Sequence, residues 1–513
     1  MIVPSRWIRW LPWVSLAAFT LLWLARWPTF PLVLDPYYHL LVARQIADAG
    51  GPIVYEWWEY APGGRPHLYP PLLHLLLALL LKSGASPILA IRLLSVSLLP
   101  GLLLSMFLVA RRLLGASVAA AALWMGMLPF SFHLHSAITL AATLGMILML
   151  WLVDALERGR GLAAGLLIAL LYYTHLSLPW MALVAVTCYG VYRPSVRGDI
   201  KNASWGLLPA LPWIVHIVRH RAAFHPFPRE ENTLIELMPL LYVMGAVGLW
   251  RCWRLKGPFL WPLACWLGLS LLSFRYPFRW LSGEGMLPVI LLAGVAVDWA
   301  SSRMMLAWTS NPMRRRRGTE QQILGSFFLF VLLAMSPTFA HTTAGWRWRW
   351  PDSAPWHLTG SRAVTPKEVD ASLYTPPMAK VIAAVAAQSR PNEILWANAP
   401  YALGLIAALA HRPIASAMLN EVTASVPADP LRAAHLIIWF TFQPIPGTVT
   451  WSELKRLPLT LVAATEIALI FRQSNISQRA RPPNAVLPFG VALLLLLSAI
   501  AAIIWDMRRP ALR

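Results

Sequence analysis

Apolar and polar positions fall along this chain in long blocks rather than at period two. Apolar runs occupy 72–81, 98–110, 327–335 and 486–504. A helix needs about 20 mostly apolar residues to cross the hydrocarbon core of a bilayer. Inside lipid every backbone group must find an internal partner, which favours helices. The alternation of a membrane β-barrel is absent. The blocks therefore predict a polytopic α-helical membrane protein.

The positive-inside rule threads the blocks through the bilayer. Arg6 and Arg9 hold the N-terminus inside. The segment near 11–27 has no small-residue cleavage site and reads as a retained first span, exiting near Phe30. Residues 31–85 stay outside. Their apolar tail, "YPPLLHLLLALLLK", is too short for a comfortable span and is expected along the interface. The second span covers 87–110 and ends inside at Arg111 and Arg112. The third exits near His133, and the fourth returns to Glu157 and Arg160. The fifth and sixth flank an outer "THLSLPW" and return to a loop with Arg193, Arg197 and Lys201. The seventh exits to "RHRAAFHPFPREENTLIE", and the eighth returns to "RCWRLK". The ninth exits to "FRYPFRW", the tenth returns to the basic run 314–317, and the eleventh exits near Thr338.

The pattern then changes. Residues 342–482 are more polar and proline-rich, with the signature of an α/β domain. A helix is expected over 377–388, a strand at "EILWA", a helix at "YALGLIAALA", and strands at "HLIIWF" and "LTLVAA". A last span covers 485–505. The threading gives about twelve spans in three units: a multi-span domain over 1–341, an extracytoplasmic α/β domain over 342–482, and a terminal helix with a basic tail over 483–513.

Composition agrees. The chain of 513 residues is 58% hydrophobic and 13% charged, with a mean hydropathy of +0.57. That is too little charge to cover a soluble surface. The net charge of +21 lies in short loops that mark the cytoplasmic side, so anionic lipid headgroups, not nucleic acid, are its expected partners. Cys188, Cys252 and Cys265 form no CxxC pair, which argues against a disulfide framework or a thiolate metal site. No Walker A loop, GxGxxG or HExxH is present.

Candidate chemistry begins at Asp35, in "DPYYHLLVARQIADAG". A carboxylate at the end of a span is costly against lipid and so should face a cavity or a partner. Asp before Pro is also a helix-cap signature. His39 lies one turn on, on the same helical face.

That stretch, followed by "YEWWEYAPGGRPHLYPPLLHLLLALL", resembles the first outer loop of the oligosaccharyltransferase catalytic subunits, which are membrane glycosyltransferases of the GT-C superfamily. Leu41 stands where that family commonly has arginine. The resemblance implies a GT-C-like fold and a catalytic role for Asp35. It implies a divalent metal, Mn²⁺ or Mg²⁺, held by the first-loop acid; relatives that use one acid as base without metal keep the metal-free reading open. His39 would orient Asp35 or contact a donor phosphate. The family's second acidic motif falls at "PFSFHLHSAITL", which offers His133 and His135 but no carboxylate, leaving Asp35, His133 and His135 as the candidate ligands.

Three further segments extend the resemblance. Glu236 in "NTLIELMPLLYV" matches a family glutamate that helps hold the acceptor; its plainer reading is a helix N-terminal charge. Arg275 and Arg279 in "SFRYPFRW" match an arginine-bearing outer segment suited to a donor phosphate, or else anchor the interface beside Trp280. In "ILWANAPYALGLIAALAHRPIAS", Trp396, Asn398 and Tyr401 stand where the family's Trp-Trp-Asp-Tyr-Gly binds the acceptor, and only the first Trp is kept.

The resemblance thus implies a membrane glycosyltransferase of the prokaryotic cell membrane. It would move a sugar or oligosaccharide from a polyprenyl-phosphate-linked donor to a protein acceptor at the extracytoplasmic face. The altered acceptor motif keeps a lipid or polysaccharide acceptor open. A non-catalytic paralogue and a lipid-linked glycan transporter are the rival classes.

Overall fold

The computed structural model describes residues 5–223, 236–255, 279, 281, 283–308, 318–342, 345–350, 353–359, 373–418, 429–441, 450–474, 476–481 and 484–508. Among these, four helices are long and apolar enough to cross a membrane alone: Pro87–Leu113, Leu140–Glu157, Met286–Met304 and Phe489–Arg508. Leu11–Leu24, Gly161–Tyr172, Leu178–Val191, Leu207–Arg219 and Gly318–Ala334 are apolar but shorter. The helical membrane class is therefore what the chain adopts, with several helices shorter than the hydropathy pattern draws them. The expected ninth span falls within 256–278, outside the described residues.

The expected third span is two helices, Ala116–Gly126 and Phe130–Ile138, bent by 79°. Pro129 precedes the second helix and has no N–H to continue the first. The break frees carbonyls that lipid cannot satisfy. His133 Nε2 donates to one of them, Gly126 O, at 2.7 Å.

Beyond the membrane helices lie two small sheets and one larger one. Strands β1 (Tyr55–Glu56) and β2 (Arg65–Pro66) close a hairpin in the first loop. β3 (Glu236–Leu237), β4 (Thr338–Thr342) and β5 (Gly345–Arg349) form an antiparallel sheet in that order. The third sheet, ordered β6-β7-β9-β8, combines β6 (Leu395–Ala397), β7 (Leu436–Phe440), β8 (Leu459–Ala464) and β9 (Ala468–Gln473). β6 and β7 run parallel and the other pairings are antiparallel. Helices Pro376–Gln388 and Pro400–Ala410 cover it. β9, "ALIFRQ", is the one strand of this sheet that the hydrophobic pattern does not announce.

The first loop joins the membrane helices to this sheet. The Asp35–Ala49 helix packs in one core with Leu403, Ile406 and Leu436. The approach is close at Gly404, where a Cβ would stand 2.8 Å from Leu34 Cδ1 and 2.9 Å from Met418 Cε. Arg44 donates to Ala408 O and Leu409 O at 2.8 Å each, satisfying carbonyls at the end of the Pro400–Ala410 helix. His411 pairs with Asp48. Trp58, Tyr60 and Ala61 exchange backbone hydrogen bonds with Ile414 and Ser416. The loop is thus clamped from both sides, which fixes the head of the Asp35 helix.

Candidate active site

Asp35 is the first residue of its helix, not the cap. The N-cap is Leu34, without a side-chain cap, and Pro36 follows in the first turn. The chain enters through Val33 at φ +59, a costly value for a β-branched residue, worth on the order of 1–3 kcal/mol. Asp35 benefits from the helix dipole there, and its carboxylate keeps 24% exposure while everything behind it is buried.

Behind Asp35 stands a stack of imidazoles. His39 Nε2 is 3.6 Å from Asp35 Oδ2. His39 Nδ1 and His74 Nε2 share a hydrogen bond of 2.9 Å. His74 arrives on the Leu72–Lys82 helix, which packs against the Asp35 helix instead of lying free along an interface. The His67 ring lies 5.3 Å from that of His74 and its Nδ1 contacts Glu56 Oε1 at 2.5 Å. Glu56 also accepts from Tyr38 at 3.0 Å and Arg65 at 3.3 Å, and Arg65 pairs with Glu59 too. Burial alone would raise the Glu56 carboxyl, but Arg65 and His67 outweigh it and hold it well below the usual carboxylate range.

A second set is drawn from distant segments. Arg279 Nη1 lies 3.2 Å from Glu284 Oε1 and 3.3 Å from His175 Nε2. Glu284 Oε2 lies 3.3 Å from His135 Nε2. Glu284 is fully buried in the turn before the Met286–Trp308 helix. Burial raises its carboxyl, yet Arg279 and His135 more than offset that and hold it ionised far into acid. His175 Nδ1 accepts from the backbone N–H groups of Ser177 and Leu178 at 3.2 and 3.3 Å. Burial first, then Arg279, push His175 down to about 3, so its ring is neutral at physiological pH. The Tyr69 ring lies between the two sets, 5.1 Å from that of His39 and 6.5 Å from that of His175.

The structure thus brings Asp35, His39, His135 and Arg279 together. Arg275 lies outside the described residues. Glu236 opens β3 with its backbone paired to Ala340. His133 donates through Nε2 to the Gly126 carbonyl and packs against Phe19 and Trp23, which makes it a staple for the bent helix. Among the described residues no three His, Cys, Asp or Glu side chains converge as a metal-holding group. Asp35, His133 and His135 are not gathered into such a group among the described residues.

The acceptor triplet is likewise mostly committed to the fold. Asn398 is fully buried. Its Nδ2 donates to Phe440 O at 3.1 Å, and its Oδ1 accepts from Phe440 N at 2.8 Å. Trp396 packs with Leu431, Ala434, Ile437 and Leu454. Both side chains thus serve the packing and pairing of the sheet. Tyr401 lies on the Pro400–Ala410 helix.

Sequence reasoning missed Glu284, His74 and His175 as site members. The signal for Glu284 was present in "SGEGMLPV", an acid between two glycines directly before an apolar helix. The glycine is needed: a Cβ at Gly283 would fall 2.5 Å from His135 Nε2.

No family model matches the chain, and no curated protein sequence matches it. Solved structures do. ArnT from Cupriavidus metallidurans, bound to undecaprenyl phosphate, superposes with a TM-score of 0.53 over 92% of this chain and 99% of that one, at 14% identity. The Archaeoglobus fulgidus oligosaccharyltransferase in its apo form matches with a TM-score of 0.51 and 11% identity, over 79% of this chain and 64% of that one. The archaeal oligosaccharyltransferase AglB from Archaeoglobus fulgidus, in complex with an inhibitory peptide and a dolichol-phosphate, matches at a TM-score of 0.50 and 11% identity, over 84% of this chain and 69% of that one. These likenesses are of fold, and the fold is GT-C-like.

Proposed function

We propose that this chain is a membrane glycosyltransferase that takes a sugar from a polyprenyl-phosphate-linked donor at the extracytoplasmic face of a prokaryotic membrane. The observation that carries the reading is a partly open carboxylate, Asp35, backed by His39, together with a partly buried arginine, Arg279, that Glu284 and His175 hold. Asp35 accepts the proton of the acceptor's nucleophilic group. That group attacks the anomeric carbon, and the bond from this carbon to the phosphate oxygen breaks. The polyprenyl phosphate leaves with the bonding electrons, and Arg279 stabilises its charge. Glu284 keeps the guanidinium fixed. Undecaprenyl phosphate in the ArnT structure and dolichol-phosphate in that of AglB support a polyprenyl-linked donor.

The acceptor is a lipid or polysaccharide in this reading. Asn398 and Trp396 are locked into the sheet, and the match covers almost the whole of ArnT but only part of the archaeal oligosaccharyltransferase. A protein acceptor is the second reading, favoured by the "DPYYH" to "YPP" loop and the AglB peptide complex.

The test is a strain lacking the protein, complemented with the native chain or Asp35→Ala. Polyprenyl-linked glycans, glycopeptides and envelope lipids are quantified together by mass spectrometry. Accumulated donor with one sugar missing from a lipid or polysaccharide supports the proposal. Loss of Asn-linked glycopeptides instead supports the second reading. Indifference of every product to Asp35 overturns both.

A further inference from the structure

The β4–β5 hairpin carries a feature that the transfer reaction does not use. β5 and the residue after it read "GWRWRW", and strand geometry puts Trp346, Trp348 and Trp350 on one face, with Arg347 and Arg349 on the other. The Trp face is open to the surroundings: Trp346 is 44% exposed, Trp348 63% and Trp350 69%. Phe339 joins it across the strand, 4.8 Å from the Trp346 ring and 4.9 Å from that of Trp348. A patch of four large aromatics is far more than a soluble surface tolerates without a partner.

The neighbouring helix says what the partner is. Gly318–Ala334 exposes Leu324, Phe328, Val331 and Leu332, and Met335 follows directly. Their spacing puts them on one helical face. On an apolar helix among membrane-spanning neighbours, such a face meets acyl chains. Trp350 Nε1 donates to Met335 O at the end of this face, so the Trp ribbon continues the lipid-facing surface at its rim. Tryptophan favours that depth, with its ring among the glycerol groups and its N–H toward water, and arginine beside it reaches phosphate.

We propose that the Trp346–Trp348–Trp350 face is a membrane-interface ribbon that seats in one leaflet, with Arg347 on an anionic phospholipid phosphate. Glu236 pairs backbone to backbone with Ala340 of the same sheet. The ribbon therefore also fixes the height of the β3 strand relative to the bilayer. This inference stands whether or not the transfer reaction is as proposed.

The test is hydroxyl-radical footprinting of the full native chain in nanodiscs of phosphatidylcholine and phosphatidylglycerol, each holding one copy. Trp451 on the third-sheet side, 39% exposed, is the internal control. The protein alone leaves Trp348 and Trp350 more open than Trp451, so lipid seating predicts the reverse order: several-fold less oxidation of Trp348 and Trp350 than of Trp451. Equal or greater oxidation of the ribbon overturns the proposal. Protection that appears only with several copies per disc overturns it in favour of a self-interface. Arg347→Glu should raise Trp348 oxidation in discs containing phosphatidylglycerol and leave it unchanged in phosphatidylcholine alone. No difference between the two lipids overturns the anionic contact.

Discussion

His39 and His74 share a 2.9 Å hydrogen bond between two rings that water does not reach. One nitrogen of the pair must donate and the other accept, so the tautomer of His39, and with it the nitrogen that faces Asp35, is tied to a residue on another helix. The pair orients the candidate base from behind, as a buried support should.

His74→Phe keeps a ring in the stack and removes the partner. The buried His39 Nδ1 is then unpaired, which should cost about 1–3 kcal/mol of stability. Melting in detergent checks this. Turnover should fall with little change in donor KM, because the loss is in the orientation of Asp35. Full turnover with a native melting temperature would show that the pair is idle.

Asp35→Asn removes the proposed base and little else. Asp35 caps nothing and is partly solvated, so the stability cost should stay within about 1 kcal/mol, the size of a helix-dipole term. Transfer should drop on the order of 10²–10⁴-fold. A purified assay with a polyprenyl-linked donor reads both limits.

Gly283→Ala puts a methyl group against His135 Nε2. Either His135 leaves Glu284 or the turn before the Met286–Trp308 helix shifts. Overpacking of this kind costs about 1–3 kcal/mol, and activity should fall with it. Gly283→Ser should behave no better. An unchanged melting curve and rate would sink the assigned packing.

The acid limb follows from Glu284, whose carboxyl sits below its ordinary range in the fold. A depressed value means that the unfolded state binds the proton more readily. The stabilisation is complete above the ordinary glutamate value of about 4.3 and is lost as pH falls toward the folded one. The native chain should therefore lose melting temperature from about pH 5 downward. Glu284→Gln should begin lower, since Arg279 loses its counter-charge, and show a flatter acid slope. Parallel slopes would contradict the ion-pair assignment.

Asn398→Ala should cost about 1–3 kcal/mol, because it removes two hydrogen bonds from a buried side chain to the Phe440 backbone. Its transfer defect should follow the loss of folded protein, with acceptor KM unchanged. A raised acceptor KM at native stability would return Asn398 to the acceptor site.

Period and composition alone determined what is local. Apolar blocks predict membrane helices because each residue's environment there depends on neighbours within a few turns. The Asp35–His39 spacing is legible for the same reason, as are the Pro400–Ala410 helix and strands β6, β7 and β8. Tertiary structure decided the rest. Asn398 looks like a ligand-binding amide until Phe440, on another strand, takes both of its ends. His133 gains its structural partner only because the Pro129 break exposes the Gly126 carbonyl to it. Glu284 looks like a loop charge until His135 and Arg279 close on it. Buried polar groups must be paired, and nothing in a residue's own neighbourhood says which distant segment will supply the partner. That choice is made by packing, which sets His135 of the Phe130–Ile138 helix 3.3 Å from Glu284 in a distant turn.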